Sequence, residues 1–174
     1  MASEVNIVLA GFMGTGKTTV GRILARRLGH KFVDMDELIE KDACMSIAEI
    51  FGKEGEARFR EIEAGIIKRL AAGDFGEKIV LSTGGGAVVN PGNRELFRSW
   101  GTLVCLTASV DEILKRVGDR DDRPLLPAGE RREAALRLLS EREHAYRDCD
   151  LEVETTGKSV DEVADIIERY VRGT

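Results

Sequence analysis

Between an apolar run, VNIVLA (5–10), and a helical pattern that begins at Lys17 stands GFMGTGKT, and no other stretch narrows the fold as much. Gly11, Gly16, Lys17 and Thr18 meet every fixed position of GxxxxGK[ST]. Glycines let the backbone turn successive N–H groups toward one point, and a helix N-terminus adds positive potential there. Lys17 can reach terminal phosphates, and the Thr18 hydroxyl can ligate Mg2+. A plain glycine turn explains Gly11 or Gly16, but not a lysine–threonine pair at that offset. The stretch reads as a seat for ATP or GTP, with Gly14, Thr15, Gly16, Lys17, Thr18 and Thr19 as its candidate contacts.

Such a seat needs a strand before it and a helix after it, and the rest of the chain repeats that alternation. Apolar runs at 5–10, 31–34, 79–82, 102–106 and 151–154 read as short strands. Helical spacing follows at 17–28, across 36–72 with interruptions at Gly52 and Gly55, at 91–100, at 109–116 and at 159–171. Ser109 with Glu112 three residues later has the form of a capping box. Strands alternating with helices predict an α/β fold with a parallel sheet covered on both faces. At 174 residues the whole chain, 1–174, is expected to form one domain. VGDRDDRPLLPAGERRE (117–133) holds two prolines and little periodicity, which suits a flap over a site.

Composition removes other classes. Hydrophobic residues make up 43% and charged residues 33%, ordinary proportions for a globular protein. A net charge of −5 argues against a general nucleic-acid binder. The three cysteines, Cys44, Cys105 and Cys149, are scattered and form no CxxC pair, so they read as free thiols in a reducing compartment. His30 and His144 fit no metal-ligand spacing. No apolar run approaches a membrane span and the amino terminus lacks a basic leader, so the chain is expected in the cytoplasm.

A phosphate seat does not name the acceptor. Asp34 and Asp36 stand at the end of the second strand, where open parallel sheets place their crevice. They could serve a hydrated Mg2+ and an acceptor hydroxyl, or only the N-terminus of the following helix; spacing leaves both readings open. Arg60, in GEARFREIE, is by default a surface residue. Gly84, Gly85 and Gly86 leave no side chain at the end of the third strand, so a ligand can approach the backbone closely. Leu138, Arg142 and Tyr146 follow at four-residue steps on one helix face. An arginine on such a face is costly unless an anion pairs with it. A bound carboxylate, an internal salt bridge or a solvated edge would each answer that.

Taken together, GFMGTGKTTVGRILARRLG, FVDMDELIE, SIAEIFGKEGEARFREIE, STGGGAV, RPLL and ERxxxY resemble the shikimate kinase family, in its order and over nearly the whole chain. The resemblance implies a P-loop domain of the nucleoside-monophosphate-kinase type, with a central five-stranded parallel sheet and a mobile lid at about 117–127. It implies MgATP-dependent phosphorylation of the 3-hydroxyl of shikimate, with an acceptor-binding helical region at about 34–62. By position, Asp34 matches the residue that reaches Mg2+ through water, alongside Thr18. Asp36 matches the holder of the ring hydroxyls and the candidate base, and Arg60 and Arg142 match the pair that grips the carboxylate. Gly84, Gly85 and Gly86 match the triplet contacting substrate and γ-phosphate. Arg123 matches the lid arginine that joins Lys17 in stabilising the transferring group. Arg116 is expected against the adenine, with the loop TTGKS, including Thr156, as the opposite wall. Such an enzyme is expected to act as a monomer on small molecules, without nucleic-acid or membrane partners. A gluconate or nucleoside-monophosphate kinase, and a nucleotide-binding module without transfer chemistry, are the other readings.

Overall fold

The computed structural model describes residues 5–118 and 130–173. Strands β1 (Asn6–Gly11), β2 (Lys31–Asp34), β3 (Ile79–Ser82), β4 (Gly101–Thr107) and β5 (Leu151–Glu154) form one sheet in the order β2-β3-β1-β4-β5. Every pairing is parallel, from Leu9 beside Ser82 to Thr107 beside Glu154. The first strand is thus the central one. The chain winds out from it to β2, returns through β3, and crosses to β4 and β5 on the other side.

Helices α1 (Lys17–Leu28), α2 (Met35–Ala43), α3 (Ile47–Lys53), α4 (Gly55–Ala71), α5 (Pro91–Trp100), α6 (Val110–Val117), α7 (Arg131–Arg147) and α8 (Val160–Arg172) cover both faces. Alternation along the strands sends successive side chains to opposite layers. Ile7, Leu9, Val80, Val104 and Leu106 pack against α1 and α8 through Val20, Leu24, Val163 and Ile167. Val8, Ala10, Leu81, Leu103 and Cys105 face the other layer, with Ile66, Ile67, Phe97 and Ala135. Each fully buried large side chain contributes about 1.5–3 kcal/mol, so the two layers hold the sheet without cross-links. Cys105 is part of this packing, and burial pushes its thiol up to about 12.

Most predicted boundaries agree with the structure, and three details differ. Gly52 lies inside α3 and interrupts nothing; the chain breaks at Cys44, whose φ of 51° ends α2, and again at Glu54. Ser46 starts α3 with a reciprocal capping box to Glu49. Ser109 caps α6 by accepting from the Glu112 N–H, but the Glu112 carboxylate turns to Arg116 instead of completing a box. Of the lid expected at 117–127, only Val117 and Gly118 fall among the described residues, and Arg123 lies outside them. No described helix is long and apolar enough to cross a membrane.

Gly11 makes the turn from sheet to phosphate loop with φ of 134°, and a Cβ there would collide with the Leu106 carbonyl oxygen on β4. Gly11→Ala is therefore expected to cost about 2–4 kcal/mol through strain and overpacking. Thermal denaturation should show Tm lower by roughly 5–10 °C; an unchanged Tm would mean that the β1–β4 contact yields easily.

Candidate active site

The loop between β1 and α1 is held by its own side chains. Lys17 Nζ donates to the Gly11 and Phe12 carbonyl oxygens at 2.8 and 2.9 Å, and Thr15 Oγ1 donates to the Phe12 carbonyl at 2.7 Å. Gly16 enters α1 with φ of 98°, a conformation that costs an L side chain about 1–2 kcal/mol. The ammonium and the start of α1 thus face one cavity of about 490 Å³, lined also by Gly14, Thr18 and Thr19. Positive charge and helix N–H groups facing one space suit polyphosphate.

At the floor of that cavity three oxygen-bearing side chains meet. Thr18 Oγ1 donates to Asp34 Oδ2 at 3.1 Å and lies 3.3 Å from Ser82 Oγ. Asp34 Oδ1 accepts the Asp36 N–H at 3.0 Å and caps α2. One carboxylate oxygen of Asp34 thus meets the helix-capping reading, and the other faces the Thr18 hydroxyl. Hard oxygen donors of this kind fit Mg2+, which takes one or two protein ligands and completes its shell with water and phosphate. Among the described residues no three His, Cys, Asp or Glu side chains cluster as an all-protein metal site would require. Ser82 was not singled out in the sequence; its place at the end of β3, beside the end of β1, was the available signal.

On the other flank Arg116 spans two loops. It donates to the Gly14 carbonyl at 3.3 Å, to Thr155 Oγ1 at 2.9 Å and to the Thr155 carbonyl at 3.1 Å, while Glu112 holds its Nε at 2.8 Å. Thr156, the residue expected at this wall, accepts the Ser109 N–H at 2.8 Å and secures the entry to α6.

A second cavity, also about 490 Å³, adjoins the first, sharing Met13, Asp34, Asp36, Gly84 and Gly85 with it. Phe51 and Phe59, ring centroids 4.9 Å apart, form an apolar wall, and Arg60 and Arg142 lie in the lining. Arg60 is braced from its own helix, by Glu63 Oε1 at 2.8 Å and Glu56 Oε1 at 3.2 Å. Its guanidinium rests against Gly86, where a Cβ would stand 2.6 Å from Nη2. Arg142 is treated differently. It is only 8% exposed, and no aspartate or glutamate among the described residues pairs with it. Among those residues Arg142 forms no internal salt bridge, and its burial sets it apart from a solvated edge.

Glu63 was missed at the sequence level because it looked like one more acid on a charged helix. It is 1% exposed, and its Oε2 has no hydrogen-bond partner among the described residues. A Cβ on Gly84 would lie 3.3 Å from that oxygen and 3.4 Å from Asp36 Oδ1, so two carboxylates border the glycine turn. Burial holds the Glu63 carboxyl above the usual range; Arg60 and Arg142 pull it down, and the charge of Asp36 adds to the rise. The backbone N–H groups of Gly84, Gly85 and Gly86 have no acceptor among the described residues. The crevice therefore offers a polyphosphate seat, a cation site, outward peptide donors, and a paired-arginine seat with carboxylates between. That arrangement can bring a nucleotide phosphate against a hydroxyl of a small carboxylic acid.

Known proteins resemble the chain over nearly its whole length. The sequence model of the Shikimate kinase family matches residues 13–172. A shikimate kinase of Geobacter sulfurreducens is 52% identical over 168 residues, 96% of this chain and 91% of that one. The structure of a shikimate kinase from Acinetobacter baumannii in complex with shikimate superposes with a TM-score of 0.92 at 36% identity, covering 99% of this chain and 95% of that one. A gluconokinase from Sinorhizobium meliloti, at 17% identity and a TM-score of 0.62 over 99% of this chain and 94% of its own, shares the fold alone. The chain belongs to the shikimate kinase family.

The raised carboxyl of Glu63 sets a pH dependence of stability. A folded state that holds this proton more tightly than the unfolded chain is favoured below the unfolded value, near pH 4.3 or roughly so. That contribution is lost as pH rises through the folded value. Relative to Glu63→Gln, the parent protein should therefore lose stability as pH rises above about 4. Denaturant unfolding of both proteins across that range checks it, and a constant difference would remove the burial argument for Glu63.

Proposed function

We propose that this chain transfers the γ-phosphoryl group of ATP to the 3-hydroxyl of shikimate, giving shikimate 3-phosphate and ADP. The observation that carries the reading is Arg142, a buried guanidinium without a carboxylate partner among the described residues, in a cavity that adjoins the phosphate seat. A planar carboxylate held between Arg142 and Arg60 supplies the missing anion and matches guanidinium geometry. The bound shikimate of the Acinetobacter baumannii relative supports the same acceptor.

In this reading the acceptor lies along residues 34–62 with its carboxylate toward the arginines. Asp36 takes a hydrogen bond from the reacting hydroxyl and orients it, and is the candidate base for its proton. The hydroxyl oxygen bonds to the γ-phosphorus as the bond from that phosphorus to the β–γ bridging oxygen breaks. The electron pair leaves on ADP, and the proton passes to Asp36 or solvent. Lys17 and the N–H groups of residues 14–19 hold the phosphates, and the N–H groups of Gly84, Gly85 and Gly86 face the transferring group and the acceptor. Thr18 and, through water, Asp34 would hold Mg2+, with Ser82 beside them. When bound, Mg2+ neutralises charge on the β- and γ-phosphates. Arg123, carried over from the family pattern, adds positive charge from the lid at 117–127. Arg116 and Thr156 border the adenine. The enzyme works as a cytoplasmic monomer on small molecules, without nucleic-acid or membrane partners; the net charge of −5 and scattered thiols support this.

The test is ADP release with MgATP and shikimate, quinate, gluconate or AMP. Release with shikimate alone is expected, and release with gluconate or AMP instead would overturn the reading. Arg142→Ala should raise the KM for shikimate about 100-fold while the KM for ATP moves less than about threefold. Gly86→Ala, which pushes on the Arg60 guanidinium, should raise the KM for shikimate about tenfold. Equal losses for both substrates would point to damage elsewhere.

A further inference from the structure

Tyr146 lies one turn beyond Arg142 on α7 and ties that helix to the glycine turn. Its ring is 5% exposed, and its hydroxyl donates to the Gly85 carbonyl oxygen at 2.5 Å. Burial pushes the phenol up to about 12 against the pull of Arg142, so the group stays a donor near neutral pH. From its other side Gly85 leans on the phosphate loop, where a Cβ would stand 3.5 Å from the Met13 nitrogen and 3.6 Å from the Gly11 carbonyl oxygen. The Gly85 peptide is thus held between the nucleotide loop and α7.

No described peptide bond is cis, so the N–H of Gly86 points opposite to the carbonyl that Tyr146 holds. That N–H has no acceptor among the described residues. Gly86 lines the cavity of Arg60 and Arg142 and not the phosphate cavity. We infer that Tyr146 is a positioning residue for the acceptor: by holding the Gly85 carbonyl, its hydroxyl aims the Gly86 N–H at the acid bound by the two arginines. Without that hydroxyl the peptide can rotate, and the donor no longer meets its ligand. The inference rests on the acceptor assignment proposed above.

Tyr146→Phe removes one oxygen and keeps the ring. Tyr170 supplies a matched control, since its hydroxyl donates to the Asp150 carbonyl at 2.9 Å, away from both cavities. Tyr146→Phe should raise the KM for shikimate about tenfold, with kcat and the KM for ATP within about twofold. Tyr170→Phe should change none of the three. An unchanged shikimate KM in Tyr146→Phe, or an equal rise for ATP, overturns the inference. If the parent enzyme turns over no shikimate, the acceptor assignment fails and this inference with it. If the parent is active and only the variant's split is missing, this inference fails alone. A second readout needs no change at Tyr146. The chain has two tyrosines, so 3-fluorotyrosine in Tyr170→Phe labels Tyr146 alone. Its fluorine resonance should shift on saturation with shikimate; a resonance that stays in place overturns the inference.

Discussion

Because all five strands run parallel, their carboxyl ends lie along one edge, and each delivers part of a single crevice. The central strand ends in Gly11 and the phosphate loop, β2 in Asp34, and β3 in Ser82 and the glycine turn. On the far side Thr155, just past β5, is fixed to the Thr107 carbonyl at the end of β4 by both its N–H and its hydroxyl, at 2.8 and 3.0 Å. An antiparallel strand at any of these places would carry its last residue to the opposite edge. The apolar layers above and below contribute to the site chiefly by keeping this edge straight. Gly11 shows how little slack there is, since one methyl would meet the neighbouring strand.

The two arginines of the acceptor cavity illustrate a division between orientation and demand. Arg60 is held by Glu56, Glu63 and the face of Phe59, so its guanidinium has a fixed plane before any ligand arrives. Arg142 has no carboxylate brace among the described residues and is the more buried of the two. A buried charge without a close counter-charge is costly to a folded protein. Glu63 moderates this, since its unbonded oxygen brings negative charge near Arg142 without forming a pair. The two arginines thus differ, one oriented by its own helix and the other buried without a paired carboxylate among the described residues.

How much of this was legible in the sequence follows from what each feature depends on. The phosphate loop was legible because its chemistry is carried by residue types at fixed offsets, and the strands because short apolar runs recur between helical patterns. Arg142 was legible as a problem, since an arginine on a leucine–tyrosine face needs an answer; its burial and the lack of a paired carboxylate among the described residues became visible only in the fold. Asp34 could not be resolved by spacing, because its two carboxylate oxygens have different partners, the Asp36 N–H that caps α2 and the Thr18 hydroxyl. Glu63 and Ser82 were not legible at all. One is an acid among many on its helix, and the other a common end to a strand; each matters through what surrounds it in space. The break at Cys44 was hidden for a similar reason: a non-glycine residue in a left-handed conformation gives no compositional cue.

The donors of the glycine turn have a consequence for how such a protein can change over time. A lysine or arginine that binds a phosphate can be lost to one nucleotide substitution. The N–H groups of Gly84, Gly85 and Gly86 belong to the main chain, and every residue except proline would keep them. Drift at these positions acts through the space a new side chain fills, against the Arg60 guanidinium at Gly86 and beside two carboxylate oxygens at Gly84. This part of the crevice therefore fails by obstruction and not by loss of function groups, and a compensating change can arise in the obstructed neighbour rather than in the turn itself.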